Sequence, residues 1–503
     1  MAQYREIKNK HGDAILFFRL GDFYEMFFED AIEASQLLQI TLTARSKGPD
    51  ATPMCGVPYH AADGYIAKLT RLGKKVAICE QLSDPGLPGI VQRDVIRIIT
   101  PGTTLDDNVL QQKANNYVLA IVPAGLPGAT HFDIAFADVT TGEFLETKIE
   151  NEKMLISEIQ RIGPTEVILT PSSFTHPSVE LLRRNLPQVF FFPHDISGND
   201  ISAETLLTDY LKGTQKNSLE HMGKAEPYDI HEFMALDEST LKNLELLTTL
   251  RENGKEGSLL WVLDRTSTSM GGRMLRHFVT HPLLRKKEIE LRLDSVGELE
   301  KNQQLLGDVR EILKSVMDLE RLISRISLGR GSARDLVGIC QSLLTVPKFQ
   351  QMLGGCFSHL LKDVRDSIDA LPDVTGLIQR AIVEAPPLSI TEGGIIADGY
   401  NAELDELKKI SRDGKGFIRN LQEQEIAATG ISNMKVRYNK IFGYYLEVSK
   451  SHVSKVPQHY IRKQTVVNAE RYITPELKEF EEKVLGAEEK IVALEQKIFQ
   501  EIR

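Results

Sequence analysis

Cysteine is scarce in this chain of 503 residues, and its spacing excludes more than its number does. Cys55, Cys79, Cys340 and Cys356 are scattered without a C-x-x-C pair. That pattern suits free thiols in a reducing compartment rather than a disulfide frame or a zinc site. Long apolar runs are missing as well. No stretch approaches the roughly 20 residues that a membrane-spanning helix requires, and the opening Met1-Ala2-Gln3-Tyr4-Arg5 has no apolar signal core. The sequence therefore reads as cytoplasmic, with no membrane partner. Motifs for nucleotide and hydrolytic chemistry are also missing. There is no G-x-x-x-x-G-K-[ST], no H-E-x-x-H and no G-x-S-x-G. Gly329-Arg330-Gly331-Ser332-Ala333-Arg334 imitates half of a dinucleotide fingerprint, but Arg334 stands at the third glycine and no strand precedes it. It reads as a turn opening a helix. No catalytic residue, metal ligand or cofactor is expected within these residues.

What is present is the balance of a soluble multidomain protein, 42% hydrophobic and 26% charged, too long for one core. The net charge of −10 argues mildly against nucleic acid as a partner, although the distribution of charge matters more than its sum. Residues 1 to about 108 have α/β alternation. Ala14-Ile15-Leu16-Phe17-Phe18 reads as a strand broken by Gly21-Asp22, and helical spacing runs from Phe28 to Leu38 and from Ala61 to Leu72. Strands follow at Lys75 to Cys79 and Val95 to Ile99. A second α/β unit spans about 115–222, with strands at Val118 to Ile121, Phe132 to Asp138 and Val167 to Leu169 and a hairpin turn at Thr140-Thr141-Gly142-Glu143. Ser197 to Asp200 reads as a loop. From about 230 the apolar spacing is almost wholly helical. Residues 431–468, rich in aromatic and β-branched side chains, interrupt it as a small inserted sheet. Leu477, Phe480, Val484, Ala487, Ile491, Leu494 and Ile498 then form a coiled-coil-like seam, which stops at Arg503 without a cap signal, as a truncated product would.

Three constellations carry candidate chemistry. Asp133, Asp138 and Glu143 gather around a strand and turn, as the carboxylates of a metal-dependent nuclease do, although acids at strand ends are more often simply solvated. The insert at 431–468 reverses the sign of the chain. Lys435, Arg437, Lys440, Lys450, Lys455, Arg462 and Lys463 stand against one acid, Glu447, and Asn439, Gln464, Thr465 and Asn468 add uncharged donors. Such a set neutralises and hydrogen-bonds phosphates without reading bases, and equally describes a solvated hairpin whose lysines prevent aggregation. In an extended Phe23-Tyr24-Glu25 segment, Phe23 and Glu25 project together while Tyr24 turns back to the core. An exposed aromatic can wedge into a base step, and a neighbouring carboxylate can accept from a base edge. Alone, F-x-E is equally a core Phe beside a surface Glu. A helical scaffold or interaction protein is the third alternative.

Context changes the weight of that tripeptide. Arg19-Leu20-Gly21-Asp22-Phe23-Tyr24-Glu25-Met26-Phe27 resembles the mismatch-binding motif of the MutS family of bacterial mismatch-repair proteins. In family order follow Pro53 to His60, Val76 to Gln81, Arg97 to Thr103, Ala135 to Phe144, Leu263 to Arg273 and Asn468 to Leu477. The resemblance implies a multidomain α/β plus all-α architecture: a mixed α/β mismatch-binding domain at 1–108, a ribonuclease-H-like connector at 115–222, core and lever helices at 230–413, a β-rich clamp at 414–475 and a returning lever helix at 476–503. It implies that Phe23 stacks on a mispaired or looped-out base and Glu25 bonds it. Arg45 and Arg93 become candidates for phosphate contacts beside the mismatch, and Asn439, Lys440, Arg462, Lys463 and Asn468 for gripping the backbone. It makes the connector acids structural. Cys55, where a small residue such as Ala is familiar, and Asp94, where a second base is common, depart from the pattern. The family's ATPase domain with its P-loop has no counterpart here, so ATP and Mg²⁺ are expected only in a C-terminal domain beyond these residues. Implied partners are mismatched duplex DNA, a MutL-type repair protein, a second copy in a homodimer, the replication sliding clamp and, through DNA, the nucleoid.

Overall fold

The computed structural model describes residues 1–45, 51–83, 91–106, 108–124, 131–198, 201–216, 219–252, 254–439 and 443–503. They divide into two compact units. One comprises residues 1–331 and 341–370, the other residues 332–340 and 371–503. No helix among the described residues is long and apolar enough to cross a membrane.

The first unit opens on a six-stranded sheet. Its strands are β1 (Ala14–Leu20), β2 (Phe23–Phe27), β3 (Thr43–Ala44), β4 (Pro53–Pro58), β5 (Lys75–Gln81) and β6 (Arg93–Ile99), in the spatial order β3-β4-β2-β1-β5-β6. Only β1 and β5 pair in parallel. The apolar run of β1 is continuous because both of its faces are covered. Ile15 and Phe17 pack with helices α2 (Phe28–Leu38) and α3 (Ala62–Arg71), while Ala14, Leu16 and Phe18 join Tyr4 and Ile7 of α1 (Ala2–Lys10). Asp30 is buried under this layer, but it is satisfied. It accepts from the Tyr4 hydroxyl at 2.8 Å and the Leu16 amide at 3.1 Å and faces Lys8 Nζ at 2.8 Å.

A second six-stranded sheet follows in the same unit, built from β7 (Val118–Ala124), β8 (His131–Asp138), β9 (Glu143–Ile149), β10 (Glu166–Leu169), β11 (Phe190–Pro193) and β12 (Glu226–Pro227). Its order is β11-β10-β7-β8-β9-β12, with β7, β8 and β9 antiparallel and β10 and β11 parallel to β7. Leu119 and Ile121 of β7 face helices α4 (Glu152–Ile162) and α5 (Pro177–Asn185), and Val118 and Ala120 face α6 (Ala203–Gln215). The sheet thus extends past the expected limit at 222, because Glu226 and Pro227 pair with Leu145 and Glu146. Of the loop expected at Ser197 to Asp200, Asn199 and Asp200 lie outside the described residues.

The motif from Leu263 to Arg273 ties the helical part of this unit to the stretch before β7. Thr268 caps helix Ser269–Thr280 through the Gly271 amide. A Cβ on Gly272 would stand 2.4 Å from Lys113 Cγ, so only glycine admits that side chain. Arg273 binds Asp318 at 2.7 Å, Glu320 at 2.6 Å and the Gln112 carbonyl at 3.0 Å.

In the second unit, helix Ala402–Thr429 runs 28 residues and ends at Gly430 with φ +67°; helix Pro475–Ile502 starts from the Thr474 cap. The two pack on each other. The domain limit expected at 414 therefore falls inside an unbroken helix. Between the helices lies a four-stranded antiparallel sheet, β13 (Lys435–Asn439), β14 (Gly443–Ser449), β15 (Ile461–Thr465) and β16 (Ala469–Ile473), in the order β13-β14-β16-β15. The expected heptad seam is only partly followed. Leu477, Ala487 and Ile498 are buried, Ile491 and Leu494 half-buried, and Phe480 and Val484 have side chains outside the described set. Glu495 and Phe499 are buried instead. Glu495 receives the Gly394, Ile395 and Ile396 amides and Lys408 Nζ at 3.2 Å, a clasp no heptad pattern reveals.

Candidate nucleic-acid interface

The hairpin joining β1 to β2 sets the first candidate site. Leu20 pairs with Phe23 across the two-residue turn Gly21-Asp22. Gly21 has φ +58°, the sign that tight hairpin turns demand at their first central residue. The Asp22 carbonyl is held by the Tyr59 amide at 2.8 Å. β2 is an interior strand, paired with β1 on one side and β4 on the other, so its backbone has little freedom.

On this strand the alternation separates the three residues. Phe23 is 47% exposed, whereas Tyr24 is 5% exposed. Glu25 is half-buried. Leaving half of a Phe ring in water forgoes on the order of 1 kcal/mol, so the fold does not place Phe23 there for stability. Tyr24 is anchored by its hydroxyl, which donates to Glu80, and by packing with Phe17 and Tyr59. Gly56 lies opposite Glu25, and a Cβ there would stand 3.3 Å from the Tyr24 carbonyl oxygen, tighter than most such contacts. Burial raises the Glu25 pKa, and the charge of Arg45 offsets part of that rise.

The two arginines expected beside this site differ. Arg45 is exposed, its guanidinium 5.6 Å from the Phe27 ring centroid and 3.7 Å from Met1 Sδ. Arg93 is half-buried and internally committed. It donates to the Arg19 carbonyl at 2.9 Å and the Val91 carbonyl at 3.1 Å and lies over the Phe18 ring. Two members of the rim escaped the residue-level reading. Arg19 stacks 3.5 Å above the ring of Tyr59, which is 50% exposed. Both belong to motifs quoted above, but only the fold shows that they meet.

The second candidate site is the inserted sheet. Arg462 and Lys463 are exposed on β15, Asn468 is exposed in the turn before β16, and Asn439 is half-buried at the end of β13. Lys440 lies outside the described residues. Arg462 is opposite Tyr472 and Gln464 opposite Arg471, so Lys463 is the extra residue of a β-bulge. The excess of bases is smaller than the linear count. Glu447 faces Arg437 at 3.4 Å and Arg471 at 3.6 Å, and Glu470 faces Arg462 at 3.6 Å.

The nuclease alternative finds no support in its carboxylates, each of which is spent. Asp138 is fully buried and accepts from the Asn116 amide at 3.0 Å, the Thr140 amide at 2.9 Å and the Thr140 hydroxyl at 2.7 Å. Glu143 accepts from the Tyr117 hydroxyl at 2.6 Å, and Asp133 from the Ala203 amide at 2.9 Å at the start of α6. Among the described residues no group of three His, Cys, Asp or Glu could hold a metal ion. All four cysteines are free and buried.

Family models then decide the relationship. Those for MutS domain I, domain II and domain III match residues 1–108, 116–236 and 239–503. The chain belongs to the MutS family. Along its whole length it is 45% identical to the DNA mismatch repair protein MutS of Lachnoclostridium phytofermentans and 46% identical to that of Acetivibrio thermocellus, covering 57% and 61% of those relatives. That of Myxococcus xanthus is 45% identical, with 59% covered. The chain thus spans about three-fifths of the length of these MutS relatives, whose shared name favours neither the nuclease nor the scaffold alternative.

Proposed function

We propose that this chain binds mismatched or looped-out duplex DNA in DNA mismatch repair, with Phe23 as a minor-groove wedge, Glu25 as the acceptor from the unstacked base and the inserted sheet as a clamp on the backbone. The observation that carries this reading is the exposed Phe23 ring on a fixed interior strand, between a buried Tyr24 and a tight turn. Opening a base step costs a few kcal/mol, least where pairing is already weak. A rigid wedge converts that difference into preference without reading sequence. Glu25 adds a negative charge that repels the phosphates of a stiff matched duplex. Arg45, Lys463 and Asn468, all exposed, are assigned to phosphate contacts. Arg93 is assigned to holding β6 against the Arg19 carbonyl, so its share in binding is small.

The deciding experiment is a competition between matched duplex and duplex carrying one mispair or one unpaired base. Phe23→Ala should abolish the preference; retention of full preference would refute the wedge. Homoduplex affinity should rise in Glu25→Ala, and an unchanged value would remove the repulsive role. The second sheet, three antiparallel strands extended by β10 and β11 in parallel on one side and by the short β12 on the other, supports reading this region as a ribonuclease-H-like connector without nuclease activity. ATP with Mg²⁺, a MutL-type partner, a homodimer and the sliding clamp are assigned to the full-length protein, working in the cytoplasm at the nucleoid.

A further inference from the structure

An arginine on a helix of the first unit has no counter-charge among the described residues. Arg276, on helix Ser269–Thr280, is half-buried, and burial depresses its guanidinium pKa. Its surroundings treat other arginines differently. Arg273 is clasped by Asp318 and Glu320, Arg161 by Glu158 and the Tyr228 hydroxyl, and Arg321 by the Gln111 and Ala114 carbonyls. The Arg276 guanidinium has no ion pair or hydrogen bond with any described residue. Its nitrogens keep contact with solvent, so the guanidinium is open to an anionic ligand.

Arg276 lines a cavity of about 520 Å³ formed with the stretch before β7 and the segment around helix Leu259–Leu263. Lys113, Lys255 and Arg265 line it too, and the only acid there is Asp264. That carboxylate is already engaged, with Lys113 Nζ at 2.9 Å and the Thr266 hydroxyl at 2.6 Å. Lys255 Nζ meets only a neutral acceptor, Gln111 Oε1 at 2.8 Å. The wall of the cavity therefore carries four cations against one committed acid. Trp261, 47% exposed, supplies an apolar edge.

We propose that this cavity is an oxyanion site, taking a phosphate or carboxylate head group on Arg276, with Lys255 and Arg265 at its mouth. The guanidinium presents a planar fork that matches two oxygens of such a group. The site is independent of the DNA-facing residues at Phe23 and on the inserted sheet.

Trp261 is the only tryptophan in the chain, so its emission reports on this cavity alone. Inorganic phosphate, titrated against chloride at constant ionic strength, should change that emission saturably and raise the melting temperature. Arg276→Gln should weaken the response at least tenfold and Lys255→Gln several-fold. Acetate provides a second arm. A response to phosphate alone assigns a phosphate-bearing ligand, and an equal response to acetate assigns a carboxylate such as an acidic side chain supplies. A change no larger than that of chloride overturns the proposal, as does an Arg276→Gln variant with unaltered affinity. Should that variant fail to fold, unaltered affinity in the Lys255→Gln and Arg265→Gln variants overturns it equally.

Discussion

The strand that carries Phe23 and the strand that carries Lys463 solve opposite problems. β2 lies inside its sheet, bonded on both sides, with neighbouring side chains anchored by Tyr24–Glu80 and by aromatic packing. Only one large side chain leaves the surface there. β15 is the edge of its sheet, and four of its five residues are exposed. A residue that must enter one base step needs a fixed position, because a displaced wedge gains nothing. A residue that must meet a phosphate somewhere along a backbone needs only charge and reach. The contrast between buried strand and open edge is the one that the proposed division between selecting DNA and holding it requires.

Removing the wedge is the most severe way to break this contrast. Stacking of a base on an aromatic is worth about 1–3 kcal/mol. Phe23→Ala should therefore cost roughly tenfold or more in affinity for mismatched duplex and leave matched duplex nearly unchanged, while thermal stability shifts little because the ring is half exposed. Lys463→Ala should act on both duplexes alike. A loss of several-fold is expected, with the slope of log K against log salt reduced by about one phosphate's worth, roughly 0.9. A duplex-dependent loss would show that the edge strand also selects.

Tyr24→Phe tests whether rigidity matters beneath the wedge. Losing the bond to Glu80 should cost about 1–2 kcal/mol of stability, read as a lowered melting temperature. Mismatch preference should fall with it by a smaller factor than in Phe23→Ala; unchanged preference would separate anchoring from selection. The smallest effect expected is on pH dependence. Burial raises the Glu25 pKa, and DNA phosphates would raise it further, so binding takes up protons at this carboxyl. Affinity for mismatched duplex should therefore increase as pH falls through the raised pKa and level off above it. Glu25→Gln should remove that slope.

Much of the α/β organisation was legible in the sequence because periodicity is local. The helix from Phe28 to Leu38, the apolar run of β1 and the turn at Gly142 each announce themselves within a dozen residues. The alternation of Phe23, Tyr24 and Glu25 was equally local. Strand β4 was not legible, since Pro53 and Pro58 at its two ends discourage a strand reading; its pairing with β2 supplies what local propensity does not. Charges were misjudged for a related reason. Arg93 looked free until the fold brought Arg19 to it across 74 positions, and the clamp looked more basic until register set Glu470 beside Arg462. The clasp around Glu495 and the uncompensated Arg276 likewise depend on residues that only tertiary structure gathers or fails to gather.

The bulge at Lys463 makes parity the hidden variable of the inserted sheet. Upstream of it Arg462 shares a face with Tyr472 and Glu470; downstream Gln464 sits across from Arg471 and bonds it at 2.6 Å. One surplus residue is what moves Gln464 to the opposite side. Replacing Lys463 and deleting it are thus different operations. Replacement subtracts a charge and leaves the bulge in place, whereas deletion removes the bulge and lets Gln464 and Thr465 keep Arg471 and Glu470 as partners in a regular ladder.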